Sequence, residues 1–117
     1  MFKIFKGKKV ININKIEKFC EWFIVNNKEI IDSVENSKTN NAKMMQYLDM
    51  VEMELAKAYE DFYKGEIHFG YGYNKFVDKW ELNLCHFNKK LLKEATKMIA
   101  DKLSKNLNDS WVFNIEK

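Results

Sequence analysis

Two short stretches in the second half of the chain alternate so regularly that they restrict the fold more than anything else in it. Ile67, Phe69, Tyr71 and Tyr73 are separated by His68, Gly70 and Gly72; Trp80, Leu82 and Leu84 are separated by Glu81 and Asn83. Side chains of an extended strand point to opposite faces with period two, so each stretch has one apolar face and one small or polar face. With the polar Asn74 to Lys79 segment between them, the two stretches predict a β-hairpin at about 66–73 and 79–87. Setting both apolar sets on one face requires residues of opposite parity to pair, as in Tyr71 with Trp80 or Tyr71 with Leu82. A connection of four or six residues follows. A slip of one residue would turn Trp80 and Leu82 to the wrong side.

Helical spacing fills the rest. From Asn14, read as an N-cap with Glu17 three residues on, the apolar positions Ile16, Phe19, Cys20, Phe23, Ile30, Ile31 and Val34 predict a helix ending near Asn36. Trp22 and Val25 lie off that stripe, which points to a helix buried on more than one side. Asn27 lies on the stripe, where it needs hydrogen-bond partners or marks a break. Ser37 to Asn41 is a polar loop. A second helix runs from about Ala42 to Tyr63 on a stripe of Met45, Leu48, Val51, Leu55, Tyr59 and Phe62, with Gly65 to terminate it. After the hairpin, Asn88 caps a third helix to about Leu107, with Leu92, Ala95, Ile99 and Leu103 inward. Asn108-Asp109-Ser110 then turns into a last strand, Trp111 to Ile115. Residues 1–9 read as a loosely held lysine-rich leader, and 10–13 as a short extended piece that would add to a sheet edge.

The expectation is a single α+β domain, α-α-β-β-α-β. The helix between the second and third strands makes those two run parallel; the third would lie beside the first and antiparallel to it, giving an antiparallel three-stranded sheet in the order 2-1-3 with the helices on one face. At 117 residues the chain is long enough to bury a core without metal or disulfide staples.

Composition excludes several classes. All 20 basic residues are lysine, arginine and proline are absent, and asparagine occurs 13 times. That bias is what an AT-rich bacterial genome produces, so a single Lys or Asn carries little functional weight. The lack of arginine, the usual reader of guanine and fork for phosphate, argues against sequence-specific nucleic-acid binding, and a net charge of +3 adds little for it. Two cysteines make no disulfide framework, no apolar run reaches membrane-span length, and no signal peptide opens the chain; the expected location is the cytoplasm.

Chemistry-bearing residues gather on the hairpin's polar face: Glu66, His68, Gly70, Gly72, Glu81, Asn83, Cys85 and Phe87. Cys85 and His86 are neighbours and so face opposite sides, which leaves His68 and Cys85 as two ligands where structural zinc takes four. The same pair is the only thiol and imidazole the fold can bring together, with no orienting acid or oxyanion loop in view. Nucleotide-binding glycine loops and the Gly-x-Ser-x-Gly elbow are absent. No metal or cofactor is expected, and the inventory argues against an enzyme. The glycines weaken a strand; a bend, a bulge or clearance for a side chain such as Phe87 accounts for them most simply, and a flat spot for a partner is the other reading. Charge is segregated, with Asp49, Glu52, Glu54, Glu60 and Asp61 on the second helix. Lys89, Lys93 and Lys97 form a ridge on the third, more simply read as a solvated face. Such opposite charge favours the two helices lying side by side.

Phe19-x-x-Trp22-Phe23-x-x-Asn26 in the first helix, with Trp111-x-Phe113 opening the last strand, resembles small uncharacterised bacterial α+β domains with the same order of elements. The resemblance rests on packing residues, so it implies a fold and no activity. Stand-alone bacterial α+β proteins of this size include immunity proteins that neutralise toxins by direct binding. The functional expectation is therefore a non-enzymatic module that binds another protein through the polar face, with toxin neutralisation as its most concrete version and pairing of two copies through a sheet edge as a variant. The alternatives are a nucleic-acid-associated protein using the lysine ridge, and a small enzyme or ligand binder centred on His68 and Cys85.

Overall fold

The computed structural model of the chain describes residues 12–59, 67–86 and 90–116. In order these form α1 (Ile13–Glu35), α2 (Asn41–Tyr59), β1 (Ile67–Asn74), β2 (Lys79–His86), α3 (Lys90–Leu107) and β3 (Trp111–Glu116). The predicted order of elements is the observed one. The leader, Phe62, Gly65 and Asn88 lie outside the described residues.

Both helix starts follow capping chemistry. Asn12 rather than Asn14 caps α1, its Oδ1 accepting from the Lys15 amide at 3.3 Å. Ile13 is therefore helical, which removes it from the extended piece expected at 10–13. Asn40 does the same for α2, accepting from the Lys43 amide at 3.2 Å.

The hairpin register is Tyr71 opposite Leu82, with Asn74 opposite Lys79 closing a four-residue connection. That connection holds Asp78 at φ 56°, a left-handed conformation that a short polar residue tolerates. Asn74 Oδ1 accepts from the Phe76 amide at 2.9 Å, and the Tyr73 hydroxyl donates to the Asp78 carboxylate.

The sheet departs from expectation. It is mixed and ordered β1-β2-β3: β3 runs parallel to β2, as the helical crossover predicts, but lies beside β2 and not antiparallel beside β1. Trp80 lies opposite Trp111, Leu82 opposite Phe113 and Leu84 opposite Ile115. This arrangement makes β2 central, and Leu82 and Leu84 are its fully buried residues. The glycine-bearing strand, which offers less side chain to pack, takes an edge instead. A helical crossover between parallel neighbours is also the simplest connection for β2-α3-β3.

Residues 67, 80, 82, 84 and 111 turn their side chains into one core with Ile16, Phe19, Phe23 and Ile30 of α1, Val51, Leu55 and Tyr59 of α2, and Leu92, Ala95, Ile99 and Leu103 of α3. Phe23 meets Trp111 edge to face, with ring centroids 5.0 Å apart. α3 lies against β2 and β3, α1 reaches the sheet through Phe23 and Asn27 at Trp111, and α2 packs chiefly on α1. The acidic and basic helices are thus not neighbours along their lengths, because α1 packs against each of them; α2 reaches α3 through Tyr59. Trp22 is half-buried, but Val25 is 79% exposed, so the second apolar side of α1 is only partly covered.

Among the described residues the buried polar side chains Asn27, Ser33 and Thr96 each find hydrogen-bond partners. Asn27 does not break α1. Its Nδ2 donates to the Ile24 carbonyl at 2.6 Å and its Oδ1 accepts from Trp111 Nε1 at 3.2 Å. Ser33 donates back to the Ile30 carbonyl at 2.7 Å. Thr96 Oγ1 donates its single proton to the Leu92 carbonyl at 2.7 Å. The Tyr59 hydroxyl, 2.7 Å from that oxygen, must therefore be the donor of the pair.

The open sheet face as candidate site

Alternation carries the even-numbered positions of β1 and β3 and the odd-numbered positions of β2 to the side away from the helices. The register sets these positions in rows: His68, Cys85 and Glu116; Gly70, Asn83 and Asn114; Gly72, Glu81 and Val112; and, at the hairpin end, Asn74 and Lys79. Six of the eight sequence-predicted site residues fall in these rows. Glu66 and Phe87 lie outside the described residues. Five positions of the face, Asn74, Lys79, Val112, Asn114 and Glu116, were missed by the sequence reading, and for the three on β3 the signal is the Trp-x-Phe-x-Ile alternation of the strand itself.

The middle row is knitted together by Asn114 Nδ2, which donates to Asn83 Oδ1 at 2.8 Å. Beside it, Glu81 Oε2 accepts from Asn74 Nδ2 at 2.6 Å. These bonds hold two acceptors in fixed positions on a half-buried surface. The glycines lie at one side of this network. The β1–β2 ladder is unbroken from Ile67 to Asn74, so neither glycine marks a bulge. A Cβ built on Gly70 or Gly72 would meet no atom within 4 Å, so neither glycine makes room for a described neighbour. Their absent side chains leave a bare strip of backbone along the edge of the face.

His68 and Cys85 are direct cross-strand partners. This is as close as two strand positions come, and it places an imidazole beside a thiol. The order of strand positions across the row is 68, 85, 116, with the cysteine in the middle. A nucleophile–base–acid relay needs the base in the middle. Among the described residues no three His, Cys, Asp or Glu side chains gather closely enough to hold a metal ion. The other cysteine is sequestered: Cys20 is fully buried on α1, and that burial pushes its thiol up to about 12. A thiol held protonated is a poor nucleophile at neutral pH.

Of the lysine ridge, Lys93 and Lys97 are exposed on α3, with Glu94 exposed between them, and Lys89 lies outside the described residues. Concave surfaces occur between the helices, away from the open face. One, of about 390 Å³, is lined by Lys15, Lys18, Phe19, Glu54 and Lys57; another, of about 470 Å³, by residues of α1 and α3 including Glu17, Asp101 and Lys102.

Fold and face together define a small α+β domain whose mixed sheet is covered by helices on one side and bare on the other among the described residues. None of its described helices is long and apolar enough to cross a membrane. Comparison with protein-family models, curated proteins and solved structures returns no match.

Proposed function

We propose that the chain is a non-enzymatic bacterial protein-binding module, and that its binding surface is the open sheet face: His68, Gly70, Gly72, Glu81, Asn83 and Cys85, with Glu66 and Phe87, which flank the hairpin strands in sequence, and with Asn114 added from β3. Toxin neutralisation by direct, stoichiometric contact is its most concrete form. The observation that carries the reading is the bare glycine strip beside the fixed Asn83–Asn114 pair. Shallow, half-buried and rich in fixed acceptors, such a surface suits the flat contact of two proteins better than the enclosed pocket a small substrate needs.

The test is to express each reading frame adjacent to the gene in a sensitive host, with and without this chain. Growth arrested by a neighbour's product and restored by the wild-type chain is the supporting result. An Asn114→Lys variant that keeps the wild-type circular dichroism and melting point should fail to restore growth. Rescue undiminished in that variant would move the contact off this face, and a set of harmless neighbours would remove the toxin version.

A further inference from the structure

β1 is an edge strand, and the direction its backbone groups face follows from one hydrogen bond. The Trp80 amide donates to the Ser110 carbonyl at 2.8 Å, so even-numbered residues of β2 turn their backbone groups toward β3. Odd-numbered ones turn toward β1, where Lys79, Glu81 and Asn83 lie opposite Asn74, Gly72 and Gly70. The N–H and C=O groups of Phe69, Tyr71 and Tyr73 therefore point away from the sheet. No backbone hydrogen bond from a described residue reaches them.

Natural sheets protect such edges with lysine, proline, bulges or short strands. The β1 sequence, Ile-His-Phe-Gly-Tyr-Gly-Tyr-Asn, has none of these devices. It is eight residues long, unbulged and without a carboxylate or lysine, in a chain that carries 20 lysines. The other edge, β3, is shorter and includes Glu116.

We infer that β1 pairs with β1 of a second copy, antiparallel about a two-fold axis, to make one continuous six-stranded sheet. An antiparallel edge is its own complement under a two-fold, so no other sequence is required. The two registers centred on the strand set either Gly70 opposite Gly70 of the other copy or Tyr71 opposite Tyr71 of the other copy. In both, glycine meets glycine near the axis on the open face; on the core face the first sets Phe69 opposite Tyr71 of the other copy and Tyr73 opposite Ile67 of the other copy, and the second sets Phe69 opposite Tyr73 of the other copy and Tyr71 opposite itself. Tyr73, half-exposed in the single chain, is covered. Aromatic cross-strand pairs stabilise such ladders, and like charges opposite one another disrupt them. Lysine-free β1 can meet its own copy; few other stretches of this chain can.

The glycines make the test clean, because a side chain added at either has space in the single chain. Sedimentation equilibrium of the full chain over a wide concentration range should show a rise from 14.0 kDa to twice that mass. Gly70→Lys with Gly72→Lys should hold it at the single mass, while Gly70→Thr with Gly72→Thr should still double. Amide exchange at Phe69 and Tyr71 should slow by about tenfold or more as the dimer fills, since paired edge amides open only with the interface. A single mass throughout, doubling unaffected by the lysines, or a dimer in which the Phe69 and Tyr71 amides exchange as before would each overturn the inference. The first of these would leave the edge to an extended segment of a different protein.

Discussion

The Tyr71 hydroxyl is buried with no hydrogen-bond partner, although its ring packs well against Phe69, 6.2 Å away. Burial alone pushes its pKa up to about 12. An unpaired buried polar atom costs on the order of 1–3 kcal/mol, and removing it leaves the ring's packing intact. Tyr71→Phe should therefore raise unfolding free energy by about 1 kcal/mol, read as a higher denaturant midpoint at unchanged slope. A loss of stability would mean that the hydroxyl has a partner. Tyr59, the other buried tyrosine of the core, is its opposite: its proton is spent on Thr96, whose own proton is spent on Leu92.

At the scale of elements, the hairpin was readable because two constraints coincided. Period-two alternation fixed the faces and the opposite-parity requirement narrowed the pairing to two registers, of which the chain takes Tyr71 opposite Leu82. The same alternation found six residues of the open face. The place of β3 was not readable, because Trp111, Phe113 and Ile115 would present an apolar face beside either β1 or β2. What decides is packing strength: β2, with Leu82 and Leu84, gains more from two neighbours than a strand with two glycines does. The cap of α1 was missed by two residues because Asn12 and Asn14 offer equal chemistry. The bulge that was one expected cause of the glycines does not occur, since the β1–β2 ladder is continuous. Strand bends and crowding are the usual causes of such residues, and whether a Cβ meets anything is a three-dimensional question. The consequence can be measured on β1 itself. Gly72→Thr adds a β-branched side chain where nothing obstructs it, so the strand should gain roughly 0.5–1 kcal/mol. Destabilisation in dilute solution, where single chains prevail, would show that the position needs glycine after all.

For the whole molecule, burial sets the response to alkali. Cys20 is pushed from 9.0 up to about 12, and Tyr59 and Tyr71 from 10.0 up to about 12, in each case chiefly by loss of water. Below pH about 9 these groups are protonated in both folded and unfolded chains, and they contribute no pH dependence. Between about 9 and 12 the unfolded chain loses the protons first, so it binds fewer than the folded chain and stability falls as pH rises. Denaturant midpoints should be level from neutrality to about pH 9 and decline above it. The decline should be shallower in Tyr59→Phe, which has one fewer group to titrate. A level profile through pH 11 would contradict the burial of these groups.

One bond in the core ties the ends of this architecture to each other. Asn27, midway along α1, completes its hydrogen bonding only through Trp111, 84 residues later and on the strand that follows the last helix. Until the crossover has laid β3 beside β2, α1 holds an amide oxygen in an apolar setting with no donor, and Phe23 lacks the ring it packs against. The first helix is therefore a late beneficiary of the last strand. Folding cannot proceed from front to back with each element finished in turn, and Trp111 is placed to report, by its emission, when the whole chain has closed.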